Sequence, residues 1–268
     1  MGDWSLTGQS HSVGASWLLT LTAHASAHTK GAWTQLSSAL PFDAYLTFHC
    51  SDASLDYDYL FDIGIGAAGS EIVLVSNMLW CTSTIYTLAS GIWTVPIIIP
   101  KGTRVAARCQ CSTAGSKVAI VNYQAIYTGG FGHEGLCNFS DTYGANTADS
   151  GGTSIDPGGT AYSWGAWTQL TAATTRNIKG LICAVGTQLD LARTTAYWFA
   201  SIGVGGAGFE SSLITFTFNL RTTYNLMLPS PTVFFPVSIP AGTRLSARGL
   251  CNINDANRYF DIIAYAFS

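Results

Sequence analysis

Charge is what this chain has least of. Only 10% of its 268 residues are Asp, Glu, Lys or Arg, where about 25% is usual for a globular domain. Twelve basic against fifteen acidic residues leave a formal net charge of -3. Such a chain has no long-range attraction for phosphate backbones, so no nucleic-acid partner is expected. Long apolar runs are scarce as well. The most apolar, Val95 to Ile99, is punctuated by Pro96 and Pro100 and falls far short of the ~20 residues a spanning helix needs, so no membrane insertion is expected. The first residues lack a positively charged leader, and the stretch from Ala15 to Ala23 is broken by Ser16, Thr20 and Thr22. No secretory signal is read there, which implies synthesis in the cytoplasm.

Chemistry-bearing patterns are equally sparse. Seven cysteines are an odd number, and no CxxC pair occurs among them, so neither a disulfide framework nor a zinc site is read. Cys109 and Cys111 stand two apart and share a face if their segment is extended, which makes them the candidates for an inter-subunit disulfide or a redox role. The default for all seven is a small buried hydrophobe. The five histidines all lie at or before His133, so a histidine-dependent site would belong to one half of the chain alone. No nucleophile elbow appears, and no pair of carboxylates recurs at a defensible spacing. The expectation is therefore no catalytic residue, no metal, no cofactor and no enzymatic activity.

What the chain does have is apolar bulk and glycine, with 48% hydrophobic residues and 28 glycines. That excludes intrinsic disorder. It also has an internal repeat. Gly31-Ala32-Trp33-Thr34-Gln35-Leu36 returns unchanged as Gly165-Ala166-Trp167-Thr168-Gln169-Leu170. The block from Asp62 to Glu71, DIGIGAAGSE, has a counterpart from Ser201 to Glu210, SIGVGGAGFE. The block from Val95 to Arg108 matches that from Phe235 to Arg248, with Ile-Pro-x-Gly-Thr-Arg common to both. Three blocks in one order identify a tandem duplication of domain-sized units rather than a solenoid. The expected domains are residues 1–127 and 128–268, with a glycine-rich linker at 128–132 and a long exposed loop at 140–160.

In the first unit, short runs rich in β-branched and aromatic residues recur about every ten positions. They predict strands at 17–23, 32–38, 44–50, 59–65, 71–78, 92–99, 103–109 and 117–127. No sustained helical period with caps appears. The expected fold class is all-β, two tandem jelly-roll-like β-sandwich domains related by the duplication. The Pro-x-Gly-Thr-Arg block predicts a hairpin, with Arg104 and Arg108 on one face of the returning strand and Arg244 and Arg248 repeating them. These arginines, with Glu71 and Glu210, are candidates either for subunit contacts or for architectural ion pairs within each unit. Gly64–Gly69 and Gly203–Gly208 fit a GxGxxG pattern, but the β-branched segment that follows each predicts a tight turn between strands and not a dinucleotide site. Tyr57, Tyr59, Trp80 and Tyr143 are weak candidates for stacking on sugar rings.

Taken together, GAWTQL, DIGIGAAGSE and IPKGTRVAAR, followed by a closing β-rich segment, resemble structural virion proteins of tailed bacteriophages. The resemblance implies an accessory virion component for head decoration, the neck or collar, or the tail, acting through multivalent subunit contacts as a homo-oligomer beside other virion proteins. It carries over no active site. Scarce Lys and Glu suit surfaces buried between subunits. The alternative is a receptor- or glycan-binding tail module with a host surface glycan as partner.

Overall fold

The computed structural model describes residues 10–11, 19–53, 57–81, 91–127, 137–186, 196–221, 226–228, 233–254 and 259–268. The linker expected at 128–132 lies outside them. Among the described residues all nineteen elements are strands, and every ladder between named strands is antiparallel. The first nine are β1 (Ser10–His11), β2 (Leu19–Thr22), β3 (Thr34–Ser37), β4 (Ala44–Ala53), β5 (Asp58–Ile65), β6 (Ile72–Cys81), β7 (Gly91–Ile99), β8 (Val105–Cys111) and β9 (Val118–Tyr127). They form two sheets. One runs β1-β9-β4-β7 with β2 also paired to β9, and the other runs β3-β8-β5-β6.

The second set repeats this plan. It comprises β10 (Ser140–Tyr143), β11 (Thr153–Ile155), β12 (Thr168–Thr171), β13 (Ile178–Gly186), β14 (Ala196–Val204), β15 (Ser211–Arg221), β16 (Leu226–Leu228), β17 (Phe234–Ile239), β18 (Leu245–Cys251) and β19 (Phe260–Phe267). Its sheets run β10-β19-β13-β17, with β11 also on β19, and β12-β18-β14-β15-β16. In both sets the chain passes back and forth between facing sheets, with the first strand beside the last. That wrapping is a jelly roll. No helix among the described residues is long and apolar enough to cross a membrane.

The repeated blocks meet in space. Arg104 Nε donates to Gln35 Oε1 at 3.0 Å, and its Nη1 donates to Glu71 Oε1 at 2.9 Å and to Gly66 O. Arg244 repeats this with Gln169, Glu210 and Gly205 O. Burial acts against ionisation of Glu71 and Glu210, yet hydrogen bonds from their own backbone N–H, from the arginines and from Gly69 or Gly208 hold both carboxyls below the ordinary value. The tryptophans complete the set. Trp33 lies against Gly64 and Trp167 against Gly203, where an added Cβ would stand 2.7 and 2.6 Å from the rings, so only glycine leaves room. Arg108 stacks over Trp33 at 4.4 Å and Arg248 over Trp167 at 4.3 Å.

Two local expectations are corrected. The Pro-x-Gly-Thr-Arg turn is tight, with Gly102 at φ 80 and Thr103 N–H donating to Pro100 O, but it is not a hairpin. It carries the chain from β7 in one sheet to β8 in the other, because burial of each strand's apolar face chooses ladder partners after a turn reverses the chain. The exposed loop expected at 140–160 contains β10 and β11, both paired with β19. Its turn-like composition concealed the strands because their hydrogen bonds come from a partner more than a hundred residues away.

The two sandwiches share apolar packing. Residues Ile182, Ala184, Ile263, Tyr265 and Phe267 of the second set belong to the core cluster of the first. Consequently β19 is buried at all eight positions. Its counterpart β9 alternates instead, with Ala119, Val121, Tyr123 and Ala125 buried and the residues between them half-buried. A strand buried on both faces loses the two-residue alternation that a half-exposed strand keeps.

Candidate functional site

The contact between the sandwiches is built on an edge. β6 is the last strand of its sheet, so its outward backbone groups need partners from elsewhere. The second sandwich supplies hydroxyls. Ser140 Oγ donates to Leu74 O and Thr142 Oγ1 to Ser76 O, while Tyr265 OH donates to Asn77 O at 2.7 Å and accepts from Leu79 N–H at 2.8 Å. Tyr265 is 1% exposed, and Trp93 meets its ring edge-on at 5.0 Å. At the far end of β13, Gly186 lets Leu79 and Cys81 approach to distances no Cβ would permit.

Beside this seam lies a pocket of about 590 Å³ lined by both sandwiches, with His28, Lys30, Asp62, Asn77, Arg108 and Gln110 on one side and Ser140 and Thr147 on the other. Its centre is Asp62, whose side chain is 4% exposed. Asp62 Oδ1 accepts from Lys30 Nζ at 2.8 Å and from Asn77 N–H at 2.9 Å, and Oδ2 accepts from Arg108 Nε at 2.9 Å. Asn77 reaches it because Phe61 and Ile63 pair with Met78 and Val75, leaving two residues of β6 opposite Asp62. This is a β-bulge. Burial pushes the Lys30 ammonium below its ordinary value, against the pull of Asp62. Gln110 Nε2 donates to Thr147 O and Ser150 Oγ, and the Ser150 hydroxyl also meets His28 Nδ1 at 3.1 Å.

The second sandwich lacks this arrangement. Ser201 stands where the first has Asp62, and Trp164 where it has Lys30. Arg248 is therefore held by rings, Trp164 at 4.6 Å as well as Trp167, and its buried Nε has no hydrogen-bond partner. Ser201 bonds to Ser212 at 2.7 Å instead. The paired replacement of Asp62 and Lys30 between otherwise matching blocks is the sequence signal that marks the pocket.

The residues singled out from sequence fare unevenly. Arg104, Arg244, Glu71 and Glu210 pair within their own sandwich, and Arg108 lines the pocket. Of the sugar-stacking candidates, Tyr59, Trp80 and Tyr143 are buried and Tyr57 is half-buried beneath Lys117. Tyr59 and Trp80 pack on Phe61 inside the core. Tyr59 on β5 and Trp80 on β6 point inward, where neither can meet a sugar. Cys109 and Cys111 are free thiols at 0% and 1% exposure; burial raises Cys109 to about 12 and raises Cys111 as well. That corrects their candidacy as an inter-subunit bridge, since thiols held protonated and out of reach of solvent neither exchange nor oxidise readily.

No protein-family model matches the chain, and no curated protein matches it in sequence. Solved structures resemble it in fold at low identity. A recombinant peptide: N-glycanase F (PNGase F) is 10% identical, with 94% of this chain and 96% of that one covered at a TM-score of 0.37. PNGF-II is 9% identical at a TM-score of 0.43, and the match covers 94% of this chain and 65% of that one. A chain of the cryo-EM structure of Broad Bean Stain Virus is 11% identical, with 98% and 92% covered and a TM-score of 0.39. The expectation of no enzymatic activity is corrected by these likenesses. One of the structures similar in fold is of an N-glycanase. A virus is also among the similar structures, and none of the three refers to a bacteriophage.

Proposed function

We propose that the chain is a structural component of a virus particle, an accessory subunit of a tailed-phage virion at the head surface, neck or tail. One observation carries this reading: a subunit-type contact is built into the chain, in which one jelly roll seals the open sheet edge of the next with three hydroxyls. Units that meet head to tail assemble into rings when the rotation between them closes. A charge-poor surface suits further contacts of the same kind, because Lys and Glu are depleted where subunits meet.

The test is quantitative mass spectrometry of density-purified particles, with copy number scored against the major capsid protein. A fixed ratio to the capsid protein, together with an oligomer in multi-angle light scattering of the isolated chain, is the expected result. Absence from the particles overturns the reading.

A further inference from the structure

The pocket beside the seam is more than a packing gap. Among the described residues, five non-glycine residues have positive φ, and two of them line it: His28 at 57 and Asn77 at 55. A third, Ser150 at 62, does not line the pocket but holds two residues that do, His28 and Gln110. Such backbone is retained where the surroundings over-determine it, and it gathers at ligand sites. The volume of about 590 Å³ falls in the range of small-molecule sites, which favour the junction of two domains.

The unspent hydrogen-bonding capacity divides into two kinds. Asp62 accepts from Lys30, Arg108 and the Asn77 N–H, and two cations already meet its single charge, so it attracts no further cation. Lys30 spends one proton on Asp62 and one on Leu60 O and keeps a third. Arg108 spends only Nε, and its stacking on Trp33 fixes the plane of the remaining donors. These donors suit a carboxylate. Elsewhere around the pocket the hydroxyl protons are already used, by Thr29 on Ala27 O, by Ser140 on Leu74 O and by Ser76 on Thr142. Their oxygens are left as acceptors, which suit ligand hydroxyls. Val73 and Leu74 add an apolar wall.

From this division we infer that the pocket binds a sugar acid, a compact ligand with one carboxylate among several hydroxyls, once per chain. Inorganic phosphate satisfies the cations and leaves the acceptors unmet. A neutral sugar does the reverse. The second sandwich, with Ser201 and Trp164 in place of Asp62 and Lys30, offers no equivalent.

Calorimetric titration of the full chain with D-glucuronate, D-glucose and inorganic phosphate tests the inference without reference to any particle. Glucuronate is expected to bind one per chain, about ten-fold more tightly than either other probe, the worth of one charge-assisted hydrogen bond. Arg108→Gln is expected to weaken glucuronate by about the same factor, and Arg248→Gln to leave it unchanged. Thr29→Val, which spares the ion cluster, keeps the test valid if Arg108→Gln unfolds; it is expected to weaken glucuronate at an unaltered urea midpoint. Absence of glucuronate binding, equal binding of phosphate, or indifference to Thr29→Val overturns the inference.

Discussion

Tyr265→Phe removes one oxygen atom from the seam between the sandwiches and leaves the ring in place. That oxygen accepts from Leu79 N–H at 2.8 Å and donates to Asn77 O at 2.7 Å, and the residue is 1% exposed. Two hydrogen bonds worth about 1 kcal/mol each are lost, and each backbone group left buried without a partner costs about 1–3 kcal/mol, less whatever relaxation or an entering water recovers. The expected loss is about 2–4 kcal/mol, a large share of the roughly 5–15 kcal/mol that holds a domain folded. Urea unfolding followed by tryptophan fluorescence is a suitable assay, because Trp93 packs edge-on against this ring. The midpoint should fall while the slope stays constant, since no surface is added or removed. Tyr162→Phe, at a residue 70% exposed, should change stability by less than about 0.5 kcal/mol. A Tyr265→Phe effect as small as that would refute the argument that hydroxyls seal the edge of β6.

Two further outcomes follow from the repeated blocks. Gly64→Ala places a Cβ 2.7 Å from the Trp33 ring and Gly203→Ala one 2.6 Å from Trp167; each should cost about 1–3 kcal/mol by overpacking, and a neutral urea midpoint for either would remove the reason given for the glycine. Glu71 and Glu210 have carboxyls held below the ordinary 4.5, so the unfolded chain binds protons at higher pH than the folded one. Their contribution is fully present above the unfolded value and is lost as pH falls through the folded one. Urea midpoints measured between about pH 6 and pH 3 should decline, and the decline should be shallower in Glu71→Gln with Glu210→Gln; an unchanged slope would show that neither carboxyl is linked to folding.

Periodicity made most of the first sandwich legible. The eight segments expected from alternation and turn residues correspond to β2–β9, because a strand with one buried face writes its period into the sequence. The repeated blocks also identified the Arg–Glu pairs. What was hidden depends on the other sandwich. β19 is buried throughout because both its faces are covered, so its pattern says nothing of which neighbour covers which face. β10 and β11 read as loop because Ser, Asp and Gly belong to turns by local preference and to strands only when β19 lies beside them. The ion cluster joins Lys30, Asp62 and Arg108 from three separated segments, a convergence that spacing along the chain does not encode. Tyr59 and Trp80 misled for another reason, since an aromatic residue's type does not say which face of its strand is covered, and both rings lie in the core.

The hydroxyl that closes β6 arrives late. Tyr265 follows Leu79 by 186 residues, and β19, which carries it, sits between β10 and β13 in its own sheet. During synthesis the first sandwich therefore emerges with a bare strand edge, and it keeps that edge until the second has nearly all been made. Pairing over such a separation is slow to form. An open edge in the meantime is a template for another nascent chain. For a chain made in many copies at once, the interval between β6 and β19 leaving the ribosome is when intermolecular pairing competes with the native fold, and chaperone binding to the half-made chain would be concentrated there.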